Sequence, residues 1–286
     1  MAIRLAVTFI DVGSGDSILI EAEGARDDQA FAVVDCNDTV HEKSSELFLK
    51  RFFERKRIPY RRPAPRQLRF VLLTHTDADH ASGIPRIIRT FGCDYFLHSE
   101  SSGTSEAELA QIIRYRKSPS ARLGAIETVR QGSNLSHIPF CGVNLSVLWP
   151  AQNFHGSEND HSVVLSLTLD KVTFILTGDV SADRASQFTS LLPSSTELFQ
   201  VPHHGACDGT FNTRGETPWV DHFSRRHQPQ FLAISCHTSP YGHPRSDVID
   251  LLDSSLTTTA IRRTDMHYHL TFETNGSSLR SYYTHA

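Results

Sequence analysis

The sequence lacks an apolar run long enough to cross a membrane, since none reaches the roughly 18 residues that a spanning helix requires. Its amino terminus also lacks the charged start and apolar stretch of a signal peptide, because apolar and polar residues alternate from Ile3 to Phe9. We therefore expect a protein without a membrane-bound segment, located in the cytoplasm.

Cysteine is scarce and scattered, and no two cysteines form a Cys-x-x-Cys pair. The five cysteines are Cys36, Cys93, Cys141, Cys207 and Cys236. An odd number without close pairs argues against a disulfide framework, a zinc knuckle or a redox motif, and fits reduced thiols in a cytoplasm.

Excess positive charge is also missing, because the formal net charge is −4. Histidine, in contrast, is abundant at 16 residues, which makes metal chemistry the first function to examine.

The chain of 286 residues, 39% of them hydrophobic, is sufficient for one large core, so we expect a single domain spanning residues 1–286. Alternating residues predict a strand from Ile3 to Phe9, and the turn Gly13–Asp16 leads into a second strand at Ile18–Ile20. Further strands are predicted at 31–34, 70–73, 94–97, 143–148, 163–169, 172–176, 198–201 and 231–234. Helices are predicted at 43–57, 84–91, 106–115, 182–191 and 247–252, and an irregular loop at 57–69. Such paired strands with interposed helices indicate an α/β fold in which two sheets lie between helices.

The densest chemical signal directly follows the apolar strand Phe70–Leu73. Four potential metal ligands lie within six residues there: His75, Asp77, Asp79 and His80. A strand end is rigid, so its loop can hold imidazoles and carboxylates in the fixed geometry that cations require. The alternative is a polar loop in which Asp79 or Ser82 caps the next helix, a role that needs one such residue rather than four.

The segment Thr74–His80 resembles the His-x-[His/Asp]-x-Asp-His signature of the metallo-β-lactamase superfamily, especially the hydrolase domain of the ComEC/Rec2 competence proteins and their stand-alone relatives. Five further segments follow the order of that family: Asp11–Ser17, Asn159–Leu165, Leu176–Asp179, Val201–Gly205 and Tyr241–Pro244. The resemblance implies a metallo-β-lactamase αββα sandwich, with two mixed β-sheets flanked by helices. It also implies two divalent metal ions per chain, zinc or manganese.

The resemblance further implies which residues bind the metals. His75 and Asp77 would bind one cation, Asp79 and His80 would bind the other, and Asp179 would bridge both.

Two positions leave this ligand set open. The second cation would take His204, or its neighbour His203, as its remaining ligand. Where superfamily members commonly have a further histidine, this chain has Asn159, and His161 stands two residues later. In an extended segment both side chains would face the same way, so His161 is either another ligand or a structural residue.

The resemblance also assigns catalytic and supporting residues. The expected catalytic set is Asp79, Asn159, His203 and His243. His243 would donate a proton to the leaving group or contact a phosphate, and the alternative is a turn beside Gly242 and Pro244. Asp35 would orient a ligand imidazole from behind, and Asp16 would do the same or serve only its turn.

The loops expected to face the substrate depart from the family pattern. Ser235–Pro240 stands in place of a loop rich in glycine and asparagine, and Ala206 stands where serine is common. No counterpart of the competence proteins' transmembrane channel is recognisable in the sequence. We therefore expect the metal site but do not infer DNA uptake.

Two bound cations would supply a bridging hydroxide at neutral pH, so no serine or cysteine nucleophile is needed. Asp77 and Asn159 make the ligand set richer in oxygen, which moves the preference from zinc towards manganese. The resemblance implies phosphodiesterase or nuclease activity on DNA or another nucleic acid. The alternatives are a hydrolase of small esters, lactones or β-lactams, and a component of a larger assembly that a protein partner activates.

A basic stretch gives an independent indication of nucleic-acid binding. Between Lys50 and Arg69 there are nine basic residues and one acid, Glu54. Arg61, Arg62 and Arg66 in this stretch are the expected substrate-binding residues, which would track phosphates. The alternative is a solvated helix face followed by a loop.

Overall fold

The computed structural model describes residues 2–25, 28–38, 43–61, 63–100, 107–118 and 120–284, so Arg62 and the predicted helix start at 106 lie outside the described residues. The described strands are β1 (Ala2–Phe9), β2 (Ser17–Gly24), β3 (Gln29–Cys36), β4 (Leu68–Leu73), β5 (Cys93–His98), β6 (Leu123–Thr128), β7 (Asn144–Trp149), β8 (Val164–Leu169), β9 (Val172–Leu176), β10 (Thr196–Gln200), β11 (Phe231–Ile234), β12 (Ala260–Arg263), β13 (Leu270–Thr274) and β14 (Leu279–Tyr283). The described α-helices are α1 (Ser44–Arg55), α2 (Ala78–Ala81), α3 (Ile84–Phe91), α4 (Ala107–Arg116), α5 (Ala182–Thr189), α6 (Cys207–Thr210), α7 (Pro218–Ser224), α8 (Ser246–Ser255) and α9 (Thr264–His267). In this described part of the chain, every helix is too short or too polar for a bilayer crossing.

The strands form two mixed sheets. The first has the order β14-β13-β1-β2-β3-β4-β5-β6 and is parallel from β3 to β6 and antiparallel elsewhere. The second has the order β12-β11-β10-β9-β8-β7 and is parallel from β9 to β12. Helices pack on the outer face of each sheet, which confirms the predicted sandwich of two mixed sheets between helices.

Side chains that alternate along each strand build separate apolar layers. In β4, Phe70 and Leu72 lie between the two sheets, whereas Val71 and Leu73 pack with the helices outside the first sheet. Phe188 of α5 belongs to the corresponding layer outside the second sheet. Each buried side chain of this size contributes about 1.5–3 kcal/mol, so the layers hold the ends of the strands in fixed positions.

The predicted strands and helices all occur, with ends within a few residues of the predicted ones where the structure describes them. The prediction missed four strands and four short helices: β6, β12, β13, β14, α2, α6, α7 and α9. The residues of β12 and most of those of β14 are at least partly exposed, and both strands lie at sheet edges, so their sequences lack a continuous apolar pattern.

The predicted irregular loop is real, and a buried arginine holds it. No strand or helix lies between Arg55 and Leu68 in the described residues there. The Arg122 guanidinium donates hydrogen bonds to the carbonyl oxygens of Tyr60, Ala64, Pro65 and Thr90. Tyr60, Ala64 and Pro65 belong to the loop and Thr90 belongs to the last turn of α3, so the guanidinium joins the loop to this helix and supplies hydrogen-bond donors to its carbonyls.

Candidate metal centre

The carboxyl ends of parallel strands from both sheets meet along one edge of the sandwich, here called the site edge. In the first sheet this edge carries Asp35 of β3 and the loop 74–80 after β4. In the second sheet it carries Asp179 after β9, His203–His204 after β10 and Ser235 after β11. The carboxyl ends of strands are the usual place for ligands in α/β proteins. The fold therefore gathers candidate residues that lie far apart in the sequence.

Four overlapping groups of potential ligands lie on the site edge in the described residues, and two of them consist only of residues expected to bind the cations. The ligand atoms of His75, His80 and Asp179 lie within 4.8 Å of one another, and so do those of Asp79, His80 and His204. Asp179 Oδ2 lies 3.2 Å from His80 Nε2 and 3.3 Å from His204 Nε2. Asp179 therefore belongs to the first group and also lies beside His80 and His204 of the second.

The two remaining carboxylates lie on the more exposed side of these groups. Asp77 Oδ2 lies 3.6 Å from His75 Nε2, and Asp79 Oδ2 lies 3.7 Å from His204 Nε2. The interaction with His75 holds the pKa of Asp77 below its ordinary value, and burial only partly opposes it. The arrangement therefore pairs Asp77 with the first group and Asp79 with the second.

Asp35 anchors the ligand loop from behind. This fully buried carboxylate accepts hydrogen bonds from the Thr74 backbone N–H at 2.8 Å and from the Thr74 hydroxyl at 2.6 Å. It also lies 2.8 Å from His80 Nδ1. Because the Thr74 hydroxyl has used its hydrogen, it can accept from His75 Nδ1 at 3.1 Å. Asp35 thus fixes both imidazoles with Nε2 left as the atom available to a cation.

His204 is oriented in the same way from the second sheet. Its Nδ1 donates to the Ser235 carbonyl at 2.8 Å. Asp16 lies behind it, with Asp16 Oδ1 3.9 Å from His204 Nδ1 and Asp16 Oδ2 accepting a 2.7 Å hydrogen bond from Gln200. Burial raises the pKa of Asp16, while His204 and His80 oppose the rise. Asp16 is therefore a buried carboxylate beside the His204 and His80 imidazoles.

Two buried ligand atoms have no hydrogen-bond partner within the described residues. They are His75 Nε2 and Asp179 Oδ1. An unpaired buried polar atom costs about 1–3 kcal/mol, so native proteins rarely leave one without a reason. His75 and Asp179 belong to one group of potential ligands with His80, and Asp179 also lies 3.3 Å from His204 Nε2. Divalent cations bound among these donors would satisfy them, and the donor set fits such cations.

The electrostatics of the centre reflect this crowding of imidazoles and carboxylates. Burial lowers the pKa of His80, but Asp179 and Asp35 raise it well above its ordinary value. Burial likewise opposes protonation of His204, yet Asp179 brings its pKa to about 9. Burial would raise the pKa of Asp179, but His204 and His80 hold it well below its ordinary value. The carboxylate charge at the centre therefore attracts cations of either kind, protons or metals.

His203 faces the centre from another side than His204 does. Its Nε2 lies 3.7 Å from Asp179 Oδ2 and 3.4 Å from Asn159 Nδ2. Its Nδ1 lies 2.8 Å from Asp208 Oδ1, and the His243 ring centre lies 5.9 Å from its own. Sequence reasoning missed Asp208, because an aspartate five residues after a histidine is not a recognisable motif. The structure thus groups His203 with Asn159 and His243, and His204 with the second ligand group.

The segment Asn159–His161 is a turn of 3-10 helix, so the extended geometry considered for it does not occur. Asn159 contacts His203, whereas His161 is buried against the Phe154 ring, 5.1 Å away between centroids. Among the described residues, neither belongs to a group of potential ligand atoms. This geometry favours a structural role for His161.

The backbone is strained where the ligand loops approach each other most closely. His203 and His204 both adopt left-handed conformations, with φ of 51° and 55°. Such conformations cost non-glycine residues about 1–3 kcal/mol each and are concentrated at functional sites. At Gly15, with φ of +90°, an added Cβ would lie 2.2 Å from the Asp79 carbonyl oxygen. Only glycine allows the first turn to come this close to the ligand loop.

The predicted substrate-binding residues lie away from the metal centre. Arg61 and Arg66 precede β4, and the centre follows its carboxyl end, about 20 Å further along the strand. Arg66 lies 3.3 Å from Asp94, and the Arg61 guanidinium lies over the Tyr60 ring at 5.6 Å. The structure therefore does not bring these arginines to the ligand groups, and Arg62 lies outside the described residues.

Known proteins share both the sequence features and the fold. The sequence model of the metallo-β-lactamase superfamily matches residues 10–217. ComE operon protein 3 of Bacillus subtilis is 25% identical over 253 residues, which are 86% of this chain and 30% of that protein. The chain thus spans less than a third of the length of this relative.

Two solved structures resemble the fold at low sequence identity. Igni18, a metallo hydrolase from Ignicoccus hospitalis, has a TM-score of 0.54 at 13% identity and covers 94% of this chain and 98% of its own. CmlA, a diiron β-hydroxylase from Streptomyces venezuelae, has a TM-score of 0.54 at 15% identity and covers 93% of this chain and 53% of its own. These similarities establish the fold and leave the reaction open. Because the superfamily model covers most of the chain and the fold agrees with it, this protein belongs to the metallo-β-lactamase superfamily.

Proposed function

We propose that this protein is a hydrolase that uses two divalent cations, zinc or manganese. The observation that carries the proposal is the convergence of His75, His80 and His204 on Asp179, with two buried ligand atoms left unpaired. His75, Asp77 and Asp179 would hold the first cation. Asp79, His80, His204 and Asp179 would hold the second. Three imidazoles and three carboxylates suit either metal, and the carboxylate of Asp77 in place of a further imidazole moves the preference towards manganese.

Bound cations would lower the pKa of a water molecule towards neutrality and offset negative charge on a substrate oxygen. The chain's own groups prepare that chemistry. Asp35 and the Ser235 carbonyl hold the ligand imidazoles in one orientation. His203 and Asn159 face the same centre and would contact substrate oxygens. His243 Nδ1 has no hydrogen-bond partner in the described structure, so His243 would contact the phosphate or supply a proton to the leaving group.

We infer a phosphodiester substrate, with DNA or another nucleic acid as the polymer cleaved. The support is the resemblance to the hydrolase domain of the competence proteins, with six motifs in the same order along the chain. The basic stretch from Lys50 to Arg69 is a second indication, because cationic side chains track phosphate backbones. Small esters and lactones would use the same cations, so the substrate has to be tested directly.

The test is hydrolysis by the full chain after loading with manganese or with zinc. The substrates are single-stranded DNA, duplex DNA, RNA, a chromogenic phosphodiester and a neutral lactone, each at several salt concentrations. We expect cleavage of nucleic acid and of the chromogenic phosphodiester, with nucleic-acid binding that weakens steeply as salt rises. Efficient lactone cleavage without phosphodiester cleavage would contradict the proposal, and so would polymer cleavage that is indifferent to the metal.

Charge reversal in the basic stretch tests its contribution separately. A triple variant in which Arg61, Arg62 and Arg66 are glutamate should bind DNA more weakly, and its binding should depend less on salt. The slope of log K against log salt concentration should fall by about one unit for each lost phosphate contact. Turnover of the chromogenic phosphodiester should not change, because the stretch lies about 20 Å of strand away from the centre. Lys171→Glu, at the turn between β8 and β9, is the control for a single exposed charge. If the triple variant binds DNA as tightly as Lys171→Glu does at every salt concentration, the stretch is an ordinary solvated surface.

The structure makes the expected size of this effect modest. Lys50 lies 2.8 Å from Glu46, Lys56 lies 2.8 Å from Glu21, and Arg66 shares Asp94 with Arg69. At least four of the nine basic residues therefore already have acidic partners within the described residues.

A further inference from the structure

Large side chains are exposed on the site edge where the fold gives no reason for them. Tyr268 is 71% exposed, Tyr241 66% and Met266 65%. Tyr283 is also exposed, and its ring stacks on the His267 ring at 5.2 Å with an interplanar angle of 12°. These five residues, Tyr241, Met266, His267, Tyr268 and Tyr283, are here called the aromatic rim.

Strand pairing places the aromatic rim beside the metal centre. Leu270, at the start of β13, pairs with Phe9 at the end of β1 and with Tyr283 at the end of β14. Three inter-strand steps separate β13 from β3, which carries Asp35, so the distance is about 15 Å across the sheet. An extended nucleic-acid strand only a few nucleotides long would span it.

Hydrogen bonds join the aromatic rim to the loops that build the centre. The Cys236 backbone N–H donates to Thr264 Oγ1 at 2.9 Å, and Thr264 Oγ1 donates back to the Cys236 carbonyl at 3.0 Å. Cys236 follows Ser235, whose carbonyl orients His204. Helix α9, which carries Met266 and His267, is therefore fixed to the centre.

The backbone at Tyr268 adds an independent observation. Tyr268 has φ of 57° and ψ of −139°, a combination that glycine adopts readily and that bulky residues avoid. Its side chain is exposed and therefore gains little packing to offset this strain. A strained, exposed aromatic residue beside a catalytic centre points to a contact with something outside the chain.

We propose that the aromatic rim is a stacking surface for the unpaired bases of single-stranded nucleic acid, with Tyr268 as its main contact. The inference rests on the proposed function and narrows its substrate class. Exposed aromatic rings stack on bases of any sequence, whereas bases inside a duplex are already stacked and are not accessible. Tyr241, stacked on His243 at 6.2 Å between centroids, extends the rim to the expected leaving-group contact.

The experiment measures binding of fluorescent oligothymidylate and of a duplex of equal length to the metal-loaded full chain. Tyr268→Gly should raise the Kd for oligothymidylate about tenfold, which is within the range for loss of one stacked base. The duplex Kd should change little. Tyr268→Phe keeps the ring and should bind like the parent, whereas Tyr268→Leu keeps bulk without the ring and should bind like the glycine variant. Thermal unfolding of Tyr268→Gly should occur at the same or a higher temperature, because glycine relieves the strained φ.

An unchanged Kd for oligothymidylate in Tyr268→Gly overturns the stacking surface, and so does equal weakening on the duplex. If the rim bound only a protein ligand, the Kd for oligothymidylate would be unchanged in Tyr268→Gly. Failure of the proposed function is separable, because it would appear as absent phosphodiester cleavage while oligothymidylate binding and its dependence on Tyr268 remained measurable. Turnover of the chromogenic phosphodiester should be the same in all three variants, since that substrate is too short to reach Tyr268.

Discussion

Replacing Asp179 with alanine is expected to lower phosphodiester turnover by at least about a thousandfold, because bound cations contribute several kcal/mol to the transition state and each tenfold in rate is about 1.4 kcal/mol. Asp179 Oδ2 lies 3.2 Å from His80 Nε2 and 3.3 Å from His204 Nε2, the imidazole atoms that would face the cations. Its removal should therefore weaken both cations together. The measurements are steady-state turnover and competition titration with a metal indicator.

The control is His161→Ala, which changes another buried residue of the same region. His161 packs against Phe154 and belongs to no group of potential ligand atoms among the described residues. We expect both cations to stay bound in this variant. We also expect both cations to stay bound in Asn159→Ala. If His161→Ala lost a cation while Asn159→Ala did not, the assignment of the segment would be wrong. A fully active Asp179→Ala variant would show that Asp179 does not bridge the two cations.

Replacing Asp35 with alanine is expected to destabilise the fold by about 3 kcal/mol and to weaken metal binding by about 10–100-fold. The fully buried carboxylate accepts two hydrogen bonds from Thr74 and contacts His80 Nδ1. Alanine leaves those donors unpaired and frees the His80 ring to rotate. Asp35→Asn should bind metal poorly as well, because its amide can place a donor against the His80 N–H.

Asp38 provides a matched control for Asp35. It is also a buried carboxylate just after β3, and it accepts hydrogen bonds from the Ser45 and Glu46 backbone N–H groups at the start of α1, both at 2.9 Å. Asp38→Ala should cost about 1–2 kcal/mol of stability through the lost cap and leave metal affinity unchanged. Urea unfolding and metal titration on both variants separate the two effects. Equal metal affinity in Asp35→Ala and Asp38→Ala would contradict the role given to Asp35.

The ligand loop could be predicted because its signal is local. The apolar strand at Phe70–Leu73 indicates a rigid support, and His75 with three further potential ligands in the next five residues indicates a polar centre. The sandwich of two sheets could be predicted for a similar reason, since buried strands such as Phe231–Ile234 are continuously apolar. Local patterns therefore locate both the scaffold and its densest cluster of donors.

Features that depend on distant contacts could not be predicted. His203 and His204 are adjacent in the sequence, and only the left-handed backbone at both positions directs them to different sides of the centre. The edge strand β12 carries Arg262 and Arg263 and forms only by parallel pairing with β11. The strained φ of Tyr268 likewise follows from how α9 joins β13, and no sequence pattern signals it.

Metal stoichiometry tests the central claim most directly. The full chain should be stripped with a chelator, reloaded with manganese or zinc, freed of excess metal and analysed by elemental mass spectrometry beside Asp179→Ala. The dinuclear centre predicts close to two cations per parent chain and a clear loss in the variant, with both proteins still folded by circular dichroism. A folded parent chain that retains no cation, or the same content in parent and variant, would contradict the dinuclear centre.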